Sequence, residues 1–457
     1  MLNFKSSMDT NQTRIENSIK ELGWGKTLVL GLQHVFAMFG ATILVPIISG
    51  FSVSVTLFCA GIATLWFHFI TKRKVPVFLG SSFAFLAAYA SIANDPRLIE
   101  KAAEKNISVL SYAAGGVLVS GLVYIIFALL FKLIGTKKVM KLFPPIVTGP
   151  IIILIGLILS PSAVSNLTSS HDALTILVGI LPIVIIIALN IWGKGMAKIV
   201  PLLIAIIVSY IVAVMLTVTG AKQIIDFSVF HGKKVVGIPP FSLPHFDISA
   251  IITCAVVALA AMIEHIGDMM AISETCGKNF IETPGLTRTL LGDGIGSSLA
   301  GLFGGPANTT YGENTGVIVL TGVQDPFVVE IAAIFSIILS LSPILDTAIR
   351  TIPSCIIGGI SFVLYGMISS IGLRTIVEQK VDFSKMRNVL IAAVILVSGL
   401  GFNAYPIVLG PLQFGGLASA AVLGILLNLI LPGKDYEFKA VDNKAVTLLK
   451  KEEKNEK

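Results

Sequence analysis

The chain has 457 residues, 54% of them hydrophobic and only 13% charged, with 33 Lys and Arg against 26 Asp and Glu for a formal net charge of +7. A soluble domain carries about 25% charged residues, so these charges are too few to cover a water-facing globule of this size, and a mean hydropathy of +0.89 agrees. A soluble enzyme, a disordered chain and a disulfide scaffold are excluded, which leaves an all-α polytopic membrane protein.

The first 26 residues form a polar arm, and the first apolar run opens near Thr27. That run is long enough to span and lacks a small-residue cleavage site, so it reads as a span rather than a cleavable signal. A span takes about 20 mostly apolar residues. Runs of this kind lie near 27–48, 52–70, 109–131, 143–160, 173–191, 199–219 and 248–272, then near 326–341, 352–371, 388–405 and 413–431. Three more segments, 76–92, 289–303 and 306–323, are hydrophobic but interrupted by Gly, Pro and hydroxyl residues. Counting them predicts fourteen spans with both termini on one side. The charges test that count. Lys and Arg cluster between apolar runs, as in Lys72-Arg73-Lys74 and in Lys132 with Lys137, Lys138 and Lys141. With both ends inside, 26 of the 33 fall on the cytoplasmic side, the positive-inside bias, and an odd count would scramble it. No basic face for nucleic acid is implied. The stretch 220–247, with Pro239-Pro240, suits an extracytoplasmic loop or short hairpin, and the segment from 432 is a charged cytoplasmic tail.

The two halves echo one another in order. Phe143-Pro-Pro-Ile-Val-Thr-Gly149 opens the fifth span and Ile352-Pro-Ser-Cys-Ile-Ile-Gly358 the twelfth. Gln33-His34 lies in the first span and Glu264-His265 in the eighth; Gly80-Ser81-Ser82 breaks the third and Pro306 to Gly316 the tenth. Two seven-span halves of opposite orientation describe an inverted repeat.

Acids at membrane depth are costly and therefore informative. Glu264, Asp268, Asp293 and Glu313 are the candidates. Glu264 and Asp268, four apart, share a helix face. They are either polar packing and helix-end residues or a pair that needs a cation or a proton, which suits a coupling site. Gly304 to Gly316 cannot be a plain lipid-facing helix, because its free backbone groups need protein or a watery cavity around them. Pro76 and Gly80-Ser81-Ser82-Phe83 read the same way. Two broken segments facing each other make one central site, where Phe83 and Tyr311 offer flat surface to a planar ligand or simply pack. His34 and His265 suit internal hydrogen bonding better than metal ligation, and His68, His171, His231 and His245 lie at span ends or in loops. Gly292-Asp-Gly-Ile-Gly296 has no preceding strand or P-loop Lys and suits close helix packing. Cys59, Cys254, Cys276 and Cys355 show no metal or redox spacing and read as structural and reduced. No cofactor, metal site or enzymatic nucleophile is indicated.

At these residues the sequence resembles the nucleobase–ascorbate transporter family, also called nucleobase:cation symporter-2, over about 25–430. The family signature, Glu or Gln, Asn, x, Gly, four residues, Thr, stands here as Glu313-Asn314-Thr315-Gly316 through Thr321. The blocks Gln33-His34-Val-Phe-Ala-Met-Phe-Gly-Ala-Thr42, Leu79-Gly-Ser-Ser-Phe-Ala-Phe85 and Asn308-Thr-Thr-Tyr-Gly-Glu-Asn314 resemble bacterial members that carry uracil. The resemblance implies fourteen spans in two inverted repeats, with short strands and half-helices in spans 3 and 10. It implies a core domain, 27–131 and 248–341, moving elevator-fashion against a gate domain, 132–219 and 342–431, that often dimerises. It implies proton-coupled uracil import across the cell membrane, with Glu264 and Glu313 holding the base by side chain. Phe83, Tyr311 and the Gly312 amide would hold it by backbone, with Gln33, His34, Ser82 and Asn314 as supporting polar groups. Glu264, Asp268 and Glu313 would couple the proton. Asp268 stands where uracil carriers often have His, while purine carriers commonly have Asp there but Gln at the position of Glu313. A xanthine, guanine or uric acid permease is therefore the alternative within the family, and an anion transporter or channel of similar architecture the more distant one.

Overall fold

The computed structural model describes residues 15–135, 141, 143–170, 172–409 and 412–433. The first fourteen residues of the expected arm, Lys137 and Lys138, His171 and the tail from 434 lie outside the described residues.

Helix α1 (Ser18–Ser49) starts at an Asn17 cap, bends at Gly23, where φ is 80°, and ends on Gly50. It begins before the apolar run because this polar first turn, followed by the Gly23 bend, precedes the span. Helix α2 (Val53–Ile70) is capped by Ser52. The third segment is broken as expected: strand β1 (Leu79–Ser81), a single 3-10 turn Phe83–Phe85, then α3 (Leu86–Ala93). A short amphipathic helix α4 (Pro96–Glu104) follows, then α5 (Leu110–Ile134), α6 (Pro145–Thr168), α7 (Ala173–Trp192), a turn at Met196–Ile199 and α8 (Pro201–Val218). The stretch 220–247 carries a 3-10 turn, Ser228–Phe230, and no strand, so the hairpin alternative fails there. It is held instead as a strap over helix ends, with the His245 amide donating to the Ser111 carbonyl at 2.9 Å and the Gly237 amide to that of Leu341 at 2.9 Å.

The second half runs α9 (Ile248–Cys276), α10 (Leu286–Leu302), β2 (Asn308–Thr310) and α11 (Gly312–Thr321). Then come α12 (Pro326–Ser340), bent by 84° into α13 (Pro343–Arg350), α14 (Ser354–Glu378), α15 (Met386–Ala404), the antiparallel hairpin β3 (Ile407–Leu409) and β4 (Leu412–Phe414), and α16 (Gly416–Ile430). Among the described residues nine helices are long and apolar enough to cross a membrane, ten if the bent pair counts as one span. The segment 289–303, for all its glycine and hydroxyl residues, is unbroken and packs closely as expected of Gly292 to Gly296. Its glycines lie inside a continuous helix and admit close neighbours: a Cβ on Gly294 would stand 2.8 Å from the Gly121 carbonyl oxygen of α5, and one on Gly301 2.6 Å from that of Ala114. Close backbone approach of this kind drives helix association where the lipid removes the hydrophobic incentive. Helix α6 meets α14 likewise, a Cβ on Gly372 falling 2.6 Å from the Gly149 carbonyl. The packing is paired: α2 lies against α12 as α10 lies against α5, and α6 lies against α14. All four cysteines are buried, and none is joined in a disulfide.

Strands β1 and β2 cross antiparallel in the interior, pairing Leu79 with Thr310, Gly80 with Thr309 and Ser81 with Asn308. Each is held at its first residue by a hydroxyl from a neighbouring helix. Thr64 of α2 accepts from the Leu79 amide at 2.9 Å and lies 3.2 Å from its carbonyl; Ser297 of α10 accepts from the Asn308 amide at 3.1 Å and donates to its carbonyl at 3.0 Å. The lead into β1 is fixed by His68, which proves to be buried, with Nε2 2.9 Å from the Val77 carbonyl and Nδ1 3.4 Å from Glu330, itself paired with Arg73 at 2.8 Å.

Replacing Thr64 by Val keeps the shape and orphans a buried amide, which costs about 1–3 kcal/mol; thermal melts of the purified protein in detergent should show a lowered midpoint, and an unchanged one refutes the clamp. At the end of that strap, Asp247 caps α9 and accepts from Lys101 at 2.7 Å. Burial raises its carboxyl pKa, but the Lys101 and Ser249 hydrogen bonds and the charges of Lys101 and Arg97 outweigh it and hold the group below its ordinary value. A depressed folded value means stability that is complete above the ordinary carboxylate range and lost as pH falls through the folded one, so Asp247→Asn should flatten the melting midpoint between about pH 5 and about pH 2.

Candidate functional site

The strand crossing sets the site. Where β1 and β2 end, the 3-10 turn at Phe83 and α11 at Gly312 begin, and neither start is capped by a side chain. The crossing extends by one bond each way, from the Ser82 amide to the Ala307 carbonyl at 2.8 Å and from the Tyr311 amide to the Phe78 carbonyl at 3.0 Å. The first amides of α11 are therefore aimed past the strands with no partner from a capping side chain, and the positive end of the helix dipole lies with them.

Around that point the described structure gathers most of the expected residues. Helix α9 packs against α11. Glu264 and Gly312 are exposed though mid-chain in apolar segments, and Asp268, Glu313 and Phe83 are half-buried, so these groups border open space rather than the packed core. Asp268 is tied to β2, its Oδ2 accepting from Thr310 Oγ1 at 2.6 Å. A Cβ on Gly312 would meet only the Asp268 carboxylate, at 3.9 Å, so glycine leaves the space before α11 clear. Glu313 lines a cavity of about 140 Å³ between α1, α11 and the helices α7, α8 and α14.

The other named residues divide. Asn314 is buried and bonds back to α1, its Nδ2 donating to the His34 carbonyl at 3.2 Å and lying 3.0 Å from His34 Nδ1. That contact makes Nδ1 the acceptor and leaves the ring proton on Nε2. The Asn314 Oδ1, Gln33 Oε1 and Ser82 Oγ atoms are buried without a hydrogen-bond partner; Ser82 and Asn314 lie just past the strands, whereas Gln33 lines a separate cavity with Thr321 and Val323 at the far end of α11. Tyr311 turns its ring inward over Gly80 and donates its hydroxyl to the Ser81 carbonyl at 2.8 Å, so of the two readings open for its side chain the packing one holds and only its backbone borders the site. Asp293 is fully buried with His265, 3.0 Å apart between α9 and α10, away from the open face. His265 thus has an internal acidic partner, and no cluster of metal-ligating groups occurs among the described residues.

Sequence reasoning missed Thr310, Thr64, Ser297 and Glu330. Thr310 stood within the block Asn308-Thr-Thr-Tyr, where two adjacent hydroxyls in a broken span were the available signal. Thr64 and Glu330 are single polar residues in helices and Ser297 is one of the pair Ser297-Ser298, and nothing local says what they face.

Comparison with known proteins follows this geometry. A family model described as the Permease family matches residues 25–408. The uracil permease of Bacillus subtilis (strain 168) is 39% identical over 417 residues, covering 88% of this chain and 91% of that protein. The uracil permease of Bacillus caldolyticus is 38% identical over 420 residues, covering 90% and 93%. Among solved structures, the transmembrane domain of a cyanobacterium bicarbonate transporter, BicA, aligns with a TM-score of 0.58 at 20% identity over 89% of this chain and 96% of that one. The murine Solute Carrier 26 family member A9 anion transporter in the inward-facing state aligns with a TM-score of 0.63 at 10% identity over 88% and 67%. At those identities the structures speak for the fold alone. With its apolar helices, the chain is a multi-pass membrane protein.

Thr310→Val removes the hydroxyl that holds Asp268, a loss of about 1 kcal/mol, whereas Thr310→Ser keeps it. The melting midpoint should fall for Val and not for Ser; equal midpoints would show that the contact carries no stability.

Proposed function

The chain belongs to the Permease family, and from that premise we propose that it imports uracil together with protons. The observation that carries the reading is the pair of accessible carboxyl groups, Glu264 and Glu313, on packed helices beside the uncapped start of α11. Uracil is a flat ring with two N–H donors and two carbonyl acceptors. A carboxyl group accepts from N–H and, when protonated, also donates to a carbonyl. Protonation therefore improves the match to the base, which is what coupling requires. The amides at Gly312 and at Phe83 supply donors that no side chain caps, and Asp268, held by Thr310, is the third acid in the proton path. One charge carried inward is worth about 2.3 kcal/mol per 100 mV, roughly 50-fold accumulation.

The same reading makes the protein a cell-membrane carrier with fourteen spans in two inverted halves, both termini cytoplasmic and two copies together. The exchange of partners supports this, α2 on α12 matching α10 on α5, and Thr64 on Leu79 matching Ser297 on Asn308. The core, 27–131 with 248–341, carries the crossing and moves elevator-fashion against the gate, 132–219 with 342–431. One residue favours a purine substrate instead, Asp268 in place of the His common in uracil carriers, so xanthine, guanine and uric acid are the competitors to test. Labelled uracil uptake into transport-deficient cells should be abolished by a protonophore, competed by unlabelled uracil above these purines, and reduced by about tenfold or more in Glu313→Gln, a loss of about 1.4 kcal/mol or greater. Absence of uracil uptake overturns the reading, and uptake displaced better by a purine transfers it to that base.

A further inference from the structure

The cavity beside Glu313 holds a cation that the transport reading leaves unused. Its walls come from both sides of the proposed interface: Phe36 of α1 and Glu313 of α11 on one, Asn190 of α7, Lys198 and Ile199 of the Met196–Ile199 turn and Met367 of α14 on the other. Of the described lining residues only Glu313 and Lys198 are charged, and they are of opposite sign. The turn that bears Lys198 rests on α11 itself. A Cβ on Gly316 would touch Ile199 at 3.7 Å, and Val317 is buried in one apolar cluster with Ala37, Val200 and Leu203, against which Met196 and Ile199 pack. Lys198 is exposed, so its ammonium reaches water as well as the cavity, and it lies in one of the basic loops that the charge bias assigns to the cytoplasm.

We propose that Lys198 is the cytoplasmic counter-charge of the empty carrier, a positioning residue that acts on Glu313 rather than on the base. The inference rests on the proton-coupled reading above. After the base leaves, the Glu313 O–H bond breaks, the proton passes to cytoplasmic water, and a carboxylate remains at membrane depth. That charge is costly where it stands unless paired. The groups that the elements packed on α11 offer it are otherwise unsuited. His34 on α1 is already bonded to Asn314, and the other charged groups of α1, Lys20, Glu21 and Lys26, lie at its start. On α9, Glu264 and Asp268 are acids, His265 is paired with Asp293, and Glu274 lies in the last turn. Lys198, a compact cation on a flexible four-carbon stem with three donors, is the partner that shares the cavity. Its pairing makes proton release to the cytoplasm favourable while the site is open on that side, and it must be broken before the empty core returns.

The test separates two modes of the same full-length protein in liposomes. Net uptake of labelled uracil down an imposed proton gradient requires proton release and return of the empty carrier. Exchange of external labelled for internal unlabelled uracil at equal pH requires neither. Lys198→Met should cut net uptake by about fivefold, the worth of one partly exposed ion pair, and keep exchange within about twofold of wild type. Lys198→Arg should restore net uptake, and Lys198→Glu should depress it further. Loss of net uptake and exchange in parallel, or no loss of either, overturns the proposal. Failure of the wild-type protein to exchange uracil at all strikes the nucleobase reading instead and is visible before any variant is made.

Discussion

Backbone amides and carbonyls cannot be left bare in hydrocarbon, and the way this chain meets that constraint at one place organises everything else. Two helices are interrupted inside the membrane region, and the groups they free are satisfied by each other through β1 and β2 and by the Thr64 and Ser297 hydroxyls. Isolated two-stranded pairing of three residues a side is marginal in water; in a dry interior the alternative is unpaired polar backbone, which is far worse. Because the crossing is held at both first residues, the half-helices that follow it start at fixed points. Backbone amides and the Glu313 carboxyl at the start of α11 are then presented from a fixed point.

Much of this was legible in the sequence because breaking a helix in a membrane takes distinctive residues. Gly80-Ser81-Ser82 and Pro306 to Gly316 announced the discontinuities, and the intramembrane acids stood out against a chain poor in charge. One residue type serves opposite ends here. The glycines of α10, read as admitting close helix packing, lie in a continuous helix and remove the Cβ that would keep α5 away, whereas Gly80 lies in a strand. Helices α4 and α13 are short and strongly amphipathic, so in a hydropathy scan they pass for charged loops. The β3–β4 hairpin begins before a run read as a single span, since a short apolar stretch does not declare strand or helix by its period.

Side-chain destinations were the least legible part. Nothing near Asp268 in the chain says that Thr310, 42 positions away, would hold it, and nothing near Asn314 says that it would reach back 280 positions to His34. Both are pairings across the crossing, created by the fold. Tyr311 shows the same lesson in reverse: a ring beside an open face turns inward because the absent side chain of Gly80 leaves a berth for it.

The shared crossing also bears on how the chain can be made. Strand β1 leaves the ribosome more than 200 residues before its partner, since Leu79 pairs with Thr310. Until then its own half offers the first broken segment a few side-chain and helix contacts, Thr64 at Leu79, His68 at the Val77 carbonyl and the Thr42 carbonyl at Ser81 Oγ, but no strand partner. The nascent first half must therefore wait in the membrane with an unfinished polar seam, sheltered by water, lipid headgroups or insertion machinery. Assembly of the interior is in this sense a late event: the helices can insert one after another, but the centre closes only when Asn308–Thr310 has arrived.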